Sequence, residues 1–153
     1  MSDWYRRVTG NLGELPGAIA YYESELQDAR IETSIKGNLE SNSRLMPGIV
    51  EHRFNQLQEV EAILEFLNIQ LRKKRSEMFR KYTESYNRAL SDRSADKYVD
   101  GDDEVVEWQV LVNEFAMIRN KYLGIMKAID TKQWQITNIV KLRVAGMDDT
   151  TLG

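Results

Sequence analysis

The spacing of apolar residues predicts helices throughout the chain and no strands. The clearest repeat lies in the middle, where apolar residues recur every seven positions, which is the period of a coiled coil. Further apolar residues beside this repeat widen the face, so it should pack against more than one neighbour. The heptad positions are Val50, Leu57, Leu64, Leu71 and Met78, and Phe54, Val60, Leu67, Tyr82 and Tyr86 flank them.

Start and stop signals divide the chain into three helical regions. Pro16 and Pro47 each indicate a helix start, because proline fits the first turn. The acidic segment 100–104 is typical of a turn followed by a helix N-terminus, Asp130 suggests an interruption, and Gly146 a C-terminal cap. The prediction is a single all-helical domain over 1–153, with a first helix at 16–44, a second at 47–92, a third helical region at 103–146 and a loose tail at 147–153.

The predicted second helix is long for a chain of this size. At about 1.5 Å per residue it would reach about 65 Å, which exceeds the width of a compact domain. Such a helix either breaks or projects, and a projecting helix needs its apolar seam covered by other copies of the chain. The sequence therefore predicts an extended, coiled-coil-like protomer in a homo-oligomer, with contacts at Leu57, Leu64, Leu71 and Met78.

The composition contains few groups suited to catalysis. The chain lacks cysteine, which excludes disulfides and thiolate chemistry, and its only histidine, His52, has no second histidine to complete a dyad or a metal site. We therefore expect no enzyme activity, cofactor, metal or small-molecule substrate. The sequence shows neither a run of roughly 20 apolar residues nor a signal-peptide core, so we expect a cytoplasmic protein with no membrane contact.

The net charge of −3 conceals an uneven distribution. Residues 14–65 carry ten acidic and four basic side chains, residues 72–93 carry three acidic and eight basic ones, and residues 119–143 carry one acidic and six basic ones. Four consecutive cations at 72–75 repel one another within a helix, and a partner that neutralises them would offset that cost. Nucleic acid or the acidic front half of a neighbouring subunit could be that partner, and the plain alternative is a solvated helix face.

Aromatic rings interleaved with these cations favour single-stranded nucleic acid. Cations follow the phosphates, and rings offer stacking surfaces to unpaired bases, in DNA and RNA alike. The predicted nucleic-acid-binding residues are Arg72, Lys73, Lys74, Arg75, Arg80, Lys81 and Arg88, with Tyr82 and Tyr86 as stacking candidates.

Four short pieces of the later part of the chain form a recognisable series. They are Leu67-Asn68 before the basic helix, Ala95-Asp96-Lys97 before the acidic segment, Ile129 leading to Trp134-Gln135-Ile136-Thr137-Asn138-Ile139, and Ala145-Gly146 near the end. With these pieces, the chain over roughly residues 60–147 resembles the UvsY recombination mediators of tailed phages. The family's Lys-Ala-Arg-Leu signature is not present, and only Arg80-Lys81 and Arg88 stand near its place.

The resemblance implies a non-enzymatic helical protein that forms a ring-like oligomer and binds single-stranded DNA. Such mediators help a RecA-like recombinase to replace single-strand-binding protein during homologous recombination, here in the host cytoplasm if the chain is phage-encoded. The basic helix from 72 to 88 would contact DNA. The C-terminal helix from 132 to 145 would serve assembly, through Trp134, Ile136, Ile139 and Val140.

A second hypothesis keeps the same helices and gives them a different task. In it, the chain is a structural, adaptor or assembly-chaperone protein of the coiled-coil type, and its seam and segregated charges serve only protein contacts. The basic stretch would then pair with acidic residues of another subunit. This hypothesis predicts an oligomer that dissociates at high salt and does not bind oligonucleotides.

Overall fold

The computed structural model describes residues 3–84 and 91–147, and each regular element in these ranges is helical. A short 3-10 turn, Leu12–Glu14, joins the first two helices. The all-α fold class is therefore confirmed. None of the described helices has the length and apolar content needed to cross a bilayer. The helices are α1 (Trp4–Gly10), α2 (Leu15–Glu32), α3 (Leu39–Glu84), α4 (Asp92–Gly101) and α5 (Asp103–Val144).

The two longest helices, α3 and α5, form the body of the molecule. They contain 46 and 42 residues, or about 69 and about 63 Å of helix. They run antiparallel, since Lys74 near the end of α3 bonds to Glu104 near the start of α5, whereas Gln56 bonds to Tyr122 farther along. The second long helix is continuous from Leu39 to Glu84 and lies alongside α5, but it does not reach residue 92 as predicted, because Ser91 is extended and a separate helix begins at Asp92.

The heptad seam of α3 is buried inside this single chain. All four predicted contact residues lie in the same core cluster as Phe115 and Ile118 of α5. Other copies of the chain are not needed to cover the seam, because α5 covers it, and this corrects the prediction. A periodic pattern shows that a helix face is buried, but it does not identify the helix that buries it. The residues concerned are Leu57, Leu64, Leu71 and Met78.

The first long helix is shorter than predicted. It ends at Glu32 instead of continuing to residue 44. The Thr33 hydroxyl donates to the Arg30 carbonyl at 2.6 Å, and Gly37 adopts a positive φ of 79° that breaks the helical path. Glycine reaches this left-handed conformation without the steric cost that a side chain would impose.

The start of α3 also corrects the sequence prediction, because Pro47 lies inside the helix and not at its beginning. Asn38 provides the N-terminal cap, with its side-chain oxygen accepting a hydrogen bond from the Ser41 amide at 2.7 Å. Proline lacks an N–H, so it removes one intrahelical bond near this end. The buried face on either side of Pro47 retains the helix, with Met46 and Leu57 both in the core.

The C-terminal half contains one helix that the sequence did not predict. Helix α4 begins at Asp92, where the second helix was expected to end, and the Ser91 side chain caps it. The predicted extension of α3 through residues 85–90 lies outside the described residues. Helix α5 continues through Asp130, so the interruption predicted there is wrong.

Both predicted ends of α5 are confirmed. The Asp102 carboxylate accepts hydrogen bonds from the backbone N–H groups of Glu104 and Val105. At the other end Gly146 has a φ of 72°, and the Met147 amide donates to the Leu142 carbonyl at 2.8 Å. This six-residue closure is a Schellman motif, which satisfies the last carbonyls of the helix.

A buried polar network fixes α2 against α3. Arg53, only 4% exposed, donates to Glu25 at 2.7 Å and to Glu32. Gln56 donates to the same Glu25 carboxylate at 3.0 Å. Burial lowers the pKa of Arg53, but its hydrogen bonds to the two carboxylates outweigh burial and raise it, so the guanidinium stays charged.

The network extends to α5. The Tyr122 hydroxyl donates to Gln56 at 3.1 Å, and Lys132 donates to the backbone carbonyl of Glu32 at 2.8 Å. Burial lowers the pKa of Lys132. Directional bonds of this kind set the register of the three helices, which apolar contacts alone leave less specific.

Candidate nucleic-acid interface

Three of the predicted cations form an exposed ridge on the last turns of α3. We call Lys73, Arg80 and Lys81 the outer basic ridge. They line one shallow depression together with Ser76, Glu77 and Glu84. Among the described residues, no carboxylate forms an ion pair with any of the three. Lys73 and Arg80 are seven residues apart, which places them on the same side of the helix.

Two other predicted cations are already neutralised within the chain, and we call Lys74 and Arg75 the covered cations. Lys74 lies 3.0 Å from Glu104 and 3.2 Å from Glu77. Arg75 lies 2.7 Å from Asp100. Hydrogen bonds from Lys74 to Glu104 and Glu77 raise the pKa of its ammonium group, so Lys74 is fully charged at neutral pH.

Two of the acids that neutralise these cations, Asp100 and Glu104, belong to the junction between α4 and α5, whereas Glu77 lies on α3 itself. We call Asp100, Asp102 and Glu104 the acidic turn. The sequence predicts nucleic acid or another subunit as the neutralising partner, and for the covered cations the structure corrects this prediction, because acids of the same chain fill that role. The pairs with Asp100 and Glu104 join residues 25 and 30 positions apart, so no local spacing rule could reveal them, whereas the pair of Lys74 and Glu77 follows the three-residue spacing of a helix face.

Arg72 has a weaker local partner. Its guanidinium lies 3.2 Å from Glu65, and both side chains are mostly exposed to solvent. Exposed pairs of this kind contribute little, since water screens them and two long side chains lose freedom in making them. Arg72 is therefore open to exchange with another anion.

The aromatic part of the prediction is placed differently from what the sequence suggested. The Tyr82 hydroxyl donates to Asp102 at 2.9 Å, and its ring stacks on Tyr98 with centroids 5.4 Å apart. Tyr98, on α4, is half exposed, and the sequence analysis did not select it. The sequence signal that could have identified Tyr98 is an aromatic residue two positions after Asp96. Tyr86 and Arg88 lie outside the described residues.

The Asp102 carboxylate anchors the acidic turn. Burial raises its pKa, but hydrogen bonds from Tyr82 and from the backbone N–H groups of Glu104 and Val105 outweigh burial and lower it. The charge of Lys81 acts in the same direction. Asp102 is thus ionised and fixed at neutral pH, and α3, α4 and α5 meet around it.

The predicted assembly residues near the end of α5 differ in exposure. Trp134 is 65% exposed and Val140 is also exposed, whereas Ile136 is buried in the core and Ile139 is half-buried. Leu142 and Val144 add further exposed apolar surface at the same end. This end is remote from the basic surface, since Ser43, Met46 and Pro47 line one depression with Ile136 at the opposite end of α3.

The described residues show no arrangement typical of a metal site. Within 3–84 and 91–147, no three His, Asp or Glu side chains are grouped to hold a metal ion. The single histidine, His52, lies 3.8 Å from Glu25 at the edge of the buried network.

Comparison of the chain with protein-family models, with curated proteins and with solved structures finds no match.

Proposed function

We propose that this chain is a non-catalytic protein that binds single-stranded DNA through the outer basic ridge and acts as a recombination mediator. The observation that carries the binding proposal is the exposure of Lys73, Arg80 and Lys81 on one helix face without an ion-pair partner among the described residues. Exposed cations without an ion-pair partner bind phosphates without first breaking an ion pair. Each such contact increases the affinity, because it releases counterions condensed on the strand.

The stacked pair of Tyr82 and Tyr98 supports a preference for unpaired bases. Tyr98 is half exposed and lies beside the same turns of α3. Base stacking on an exposed ring is tolerant of sequence, since every base has a π-face. Arg72 extends the surface, because its exposed pair with Glu65 costs little to break.

The mediator role rests on the resemblance to the UvsY family and not on the geometry of the surface. It implies a cytoplasmic homo-oligomer that contacts a RecA-like recombinase and single-strand-binding protein. The exposed apolar side chains at the end of α5, including Trp134 and Val140, support self-assembly there. The heptad seam of α3 is not available for it, since α5 already covers that seam.

The binding proposal is tested by fluorescence anisotropy with a labelled single-stranded oligonucleotide at several salt concentrations. The variant Lys73→Ala, Arg80→Ala, Lys81→Ala should bind more weakly. If all three residues contact phosphates, the slope of log affinity against log salt should become shallower by about 2, at about 0.7 per phosphate.

A matched control removes three exposed lysines elsewhere. Lys36→Ala, Lys121→Ala, Lys127→Ala changes the net charge by the same amount, and none of these lysines forms an ion pair among the described residues. The control should bind like the native protein. Equal losses in both variants would reduce the effect to net charge, and absence of binding at low salt would refute the proposal.

The adaptor hypothesis remains the second candidate because of two observations. The covered cations are already neutralised within the chain, and Trp134, Val140 and Val144 expose apolar surface that suits a protein contact. It predicts a concentration-dependent oligomer without oligonucleotide affinity. Sedimentation equilibrium of Trp134→Ala beside the anisotropy titration separates the two, since loss of assembly with no DNA binding at any salt would favour the adaptor.

A further inference from the structure

We propose that the acidic turn is an internal competitor of the nucleic-acid phosphates, which covers Lys74 and Arg75 in the free protein and yields them to a bound strand. This inference rests on the proposed function and adds a means of regulating the same surface. It also explains how four consecutive cations are tolerated at 72–75 before any strand binds.

The contacts of the covered cations resemble those that a phosphate would make. The carboxylate oxygens of Asp100 and Glu104 lie 2.7 Å and 3.0 Å from Arg75 and Lys74 respectively. These distances are normal for charge-assisted hydrogen bonds to either carboxylate or phosphate oxygens. A phosphate and the acidic turn therefore compete for the same N–H donors.

The competing carboxylates are easy to displace. The side chains of Asp100 and Glu104 are 64% and 58% exposed, so water screens both ion pairs. Water can also solvate each carboxylate after it leaves its cation. Arg75 lines a second depression with Arg72, and Ser76 lines both this depression and that of the outer basic ridge. A strand that binds the ridge can therefore extend past Ser76 to Arg75 in exchange for its weak pair, and reaches Lys74 directly beside Lys73.

The exchange does not require the turn itself to move. Asp102 stays in place because it caps α5 and accepts the Tyr82 hydroxyl. Side-chain rotation of Asp100 frees Arg75, and rotation of Glu104 leaves Lys74 with only its pair to the exposed Glu77 on the same helix. The geometry thus separates an anchoring acid from two competing acids within the same turn.

The test removes the competing charges and leaves the cap intact. The double variant Asp100→Asn, Glu104→Gln should bind the labelled oligonucleotide roughly three- to tenfold more tightly, which is the range expected when two exposed ion pairs no longer compete. The slope of log affinity against log salt should become steeper by up to about 1.4, at about 0.7 for each additional phosphate.

The matched control is Asp103→Asn, Glu107→Gln. Both residues are exposed on the first turns of α5, and neither forms an ion pair with a described residue. This control removes two negative charges from the same region, so it measures how much the change in local net charge alone increases the affinity for the oligonucleotide. Only the additional gain in the competing-acid variant reports on direct competition.

Repeating the test in a variant that lacks the covered cations shows whether the gain in affinity depends on them. When Lys74→Ala and Arg75→Ala are present, neutralising Asp100 and Glu104 should give no more gain than the control pair, because no cation is left to uncover. Asp100→Asn alone repeats the test without touching the first turn of α5. Circular dichroism confirms that each variant remains helical.

The outcomes separate this inference from the proposed function. If the native protein binds the oligonucleotide but the competing-acid variant equals its control, the acidic turn has only a structural role and the inference fails. The same conclusion follows if the gain persists without the covered cations. If no variant binds at low salt, the proposed function fails and this inference fails with it.

Discussion

The substitution Arg53→Met removes the guanidinium that binds the carboxylates of Glu25 and Glu32. Methionine preserves much of the volume, so the main loss is the charge and its hydrogen bonds. Removing one partner of a buried ion pair typically costs about 3–5 kcal/mol. The two glutamate side chains are 24% and 22% exposed, so water screens part of the uncovered charge. We therefore expect the free energy of unfolding to fall by about 2–4 kcal/mol.

The assay is urea unfolding followed by circular dichroism. With a slope of about 2 kcal/mol per molar urea, this loss moves the unfolding midpoint down by about 1–2 M at unchanged slope. The control is the triple variant Glu25→Gln, Glu32→Gln, Arg53→Met, which removes the uncompensated carboxylates as well. It should recover most of the stability, because neutral side chains in place of a buried ion pair are often tolerated.

A triple variant as unstable as Arg53→Met alone would rule out stranded carboxylates as the cause of the lost stability. The loss would then come from packing around the long arginine side chain and not from the stranded carboxylates. A change in the slope of the urea transition would point to an altered unfolded state instead.

The pH dependence gives an independent check. In the native protein burial raises the pKa of Glu25, but hydrogen bonds from Gln56 and Arg53 outweigh burial and hold it below its ordinary value of 4.5. A lowered carboxyl pKa contributes stability that is complete above the ordinary value and is lost as the pH falls through the folded pKa. In Arg53→Met the hydrogen bond and the charge of Arg53 no longer lower this pKa, so the pKa of Glu25 should rise, and the stability difference between the native protein and the variant should narrow as the pH falls from neutral through the ordinary carboxyl value. A difference between the two proteins that stays constant over this range would contradict the electrostatic account.

Two further predictions concern the N-terminal cap of α5 and the division between core and surface. Asp102→Ala removes the cap of α5 and the acceptor of the Tyr82 hydroxyl, so it should lower the free energy of unfolding by about 1 kcal/mol. The control is Asp103→Ala, which removes a carboxylate that makes no cap bond. Equal losses of stability in the two variants would contradict the capping role. Ile63→Ala in the fully buried core should lower the free energy of unfolding by about 2–5 kcal/mol, measured by urea unfolding. In the same assay Trp134→Ala should change the stability of the single chain by no more than about 0.5 kcal/mol. A large loss of stability in Trp134→Ala at low protein concentration would contradict the exposed position of this side chain.

The sequence determined those features that depend on near neighbours. The bounds of α5 agree with the predicted region 103–146 to within two residues, because Asp102 and Gly146 act through hydrogen bonds to the adjacent turn. Four of the five heptad residues of α3 are buried, since periodicity reports which side of a helix avoids water, whereas Val50 is half-buried and the flanking Phe54 is exposed.

The sequence was less informative where two local rules competed. Pro47 predicted a helix start, but Asn38 caps α3 earlier and the buried face on both sides of Pro47 retains the helix. Helix α4 was missed because its apolar content is small and its stability comes from packing on α3 and α5. Whether the chain is a single domain stays a prediction.

The tertiary structure alone decided which charges are free and which are satisfied. The sequence gives the same formal charge to Lys73 and Lys74, yet Lys73 lies on the exposed ridge while Lys74 binds Glu104, 30 residues away. In the same way, the buried Arg53 binds carboxylates that lie 21 and 28 residues away along the chain. Ion pairs form between groups that the fold brings within a few ångströms, and that proximity depends on the packing of whole helices rather than on spacing along the chain.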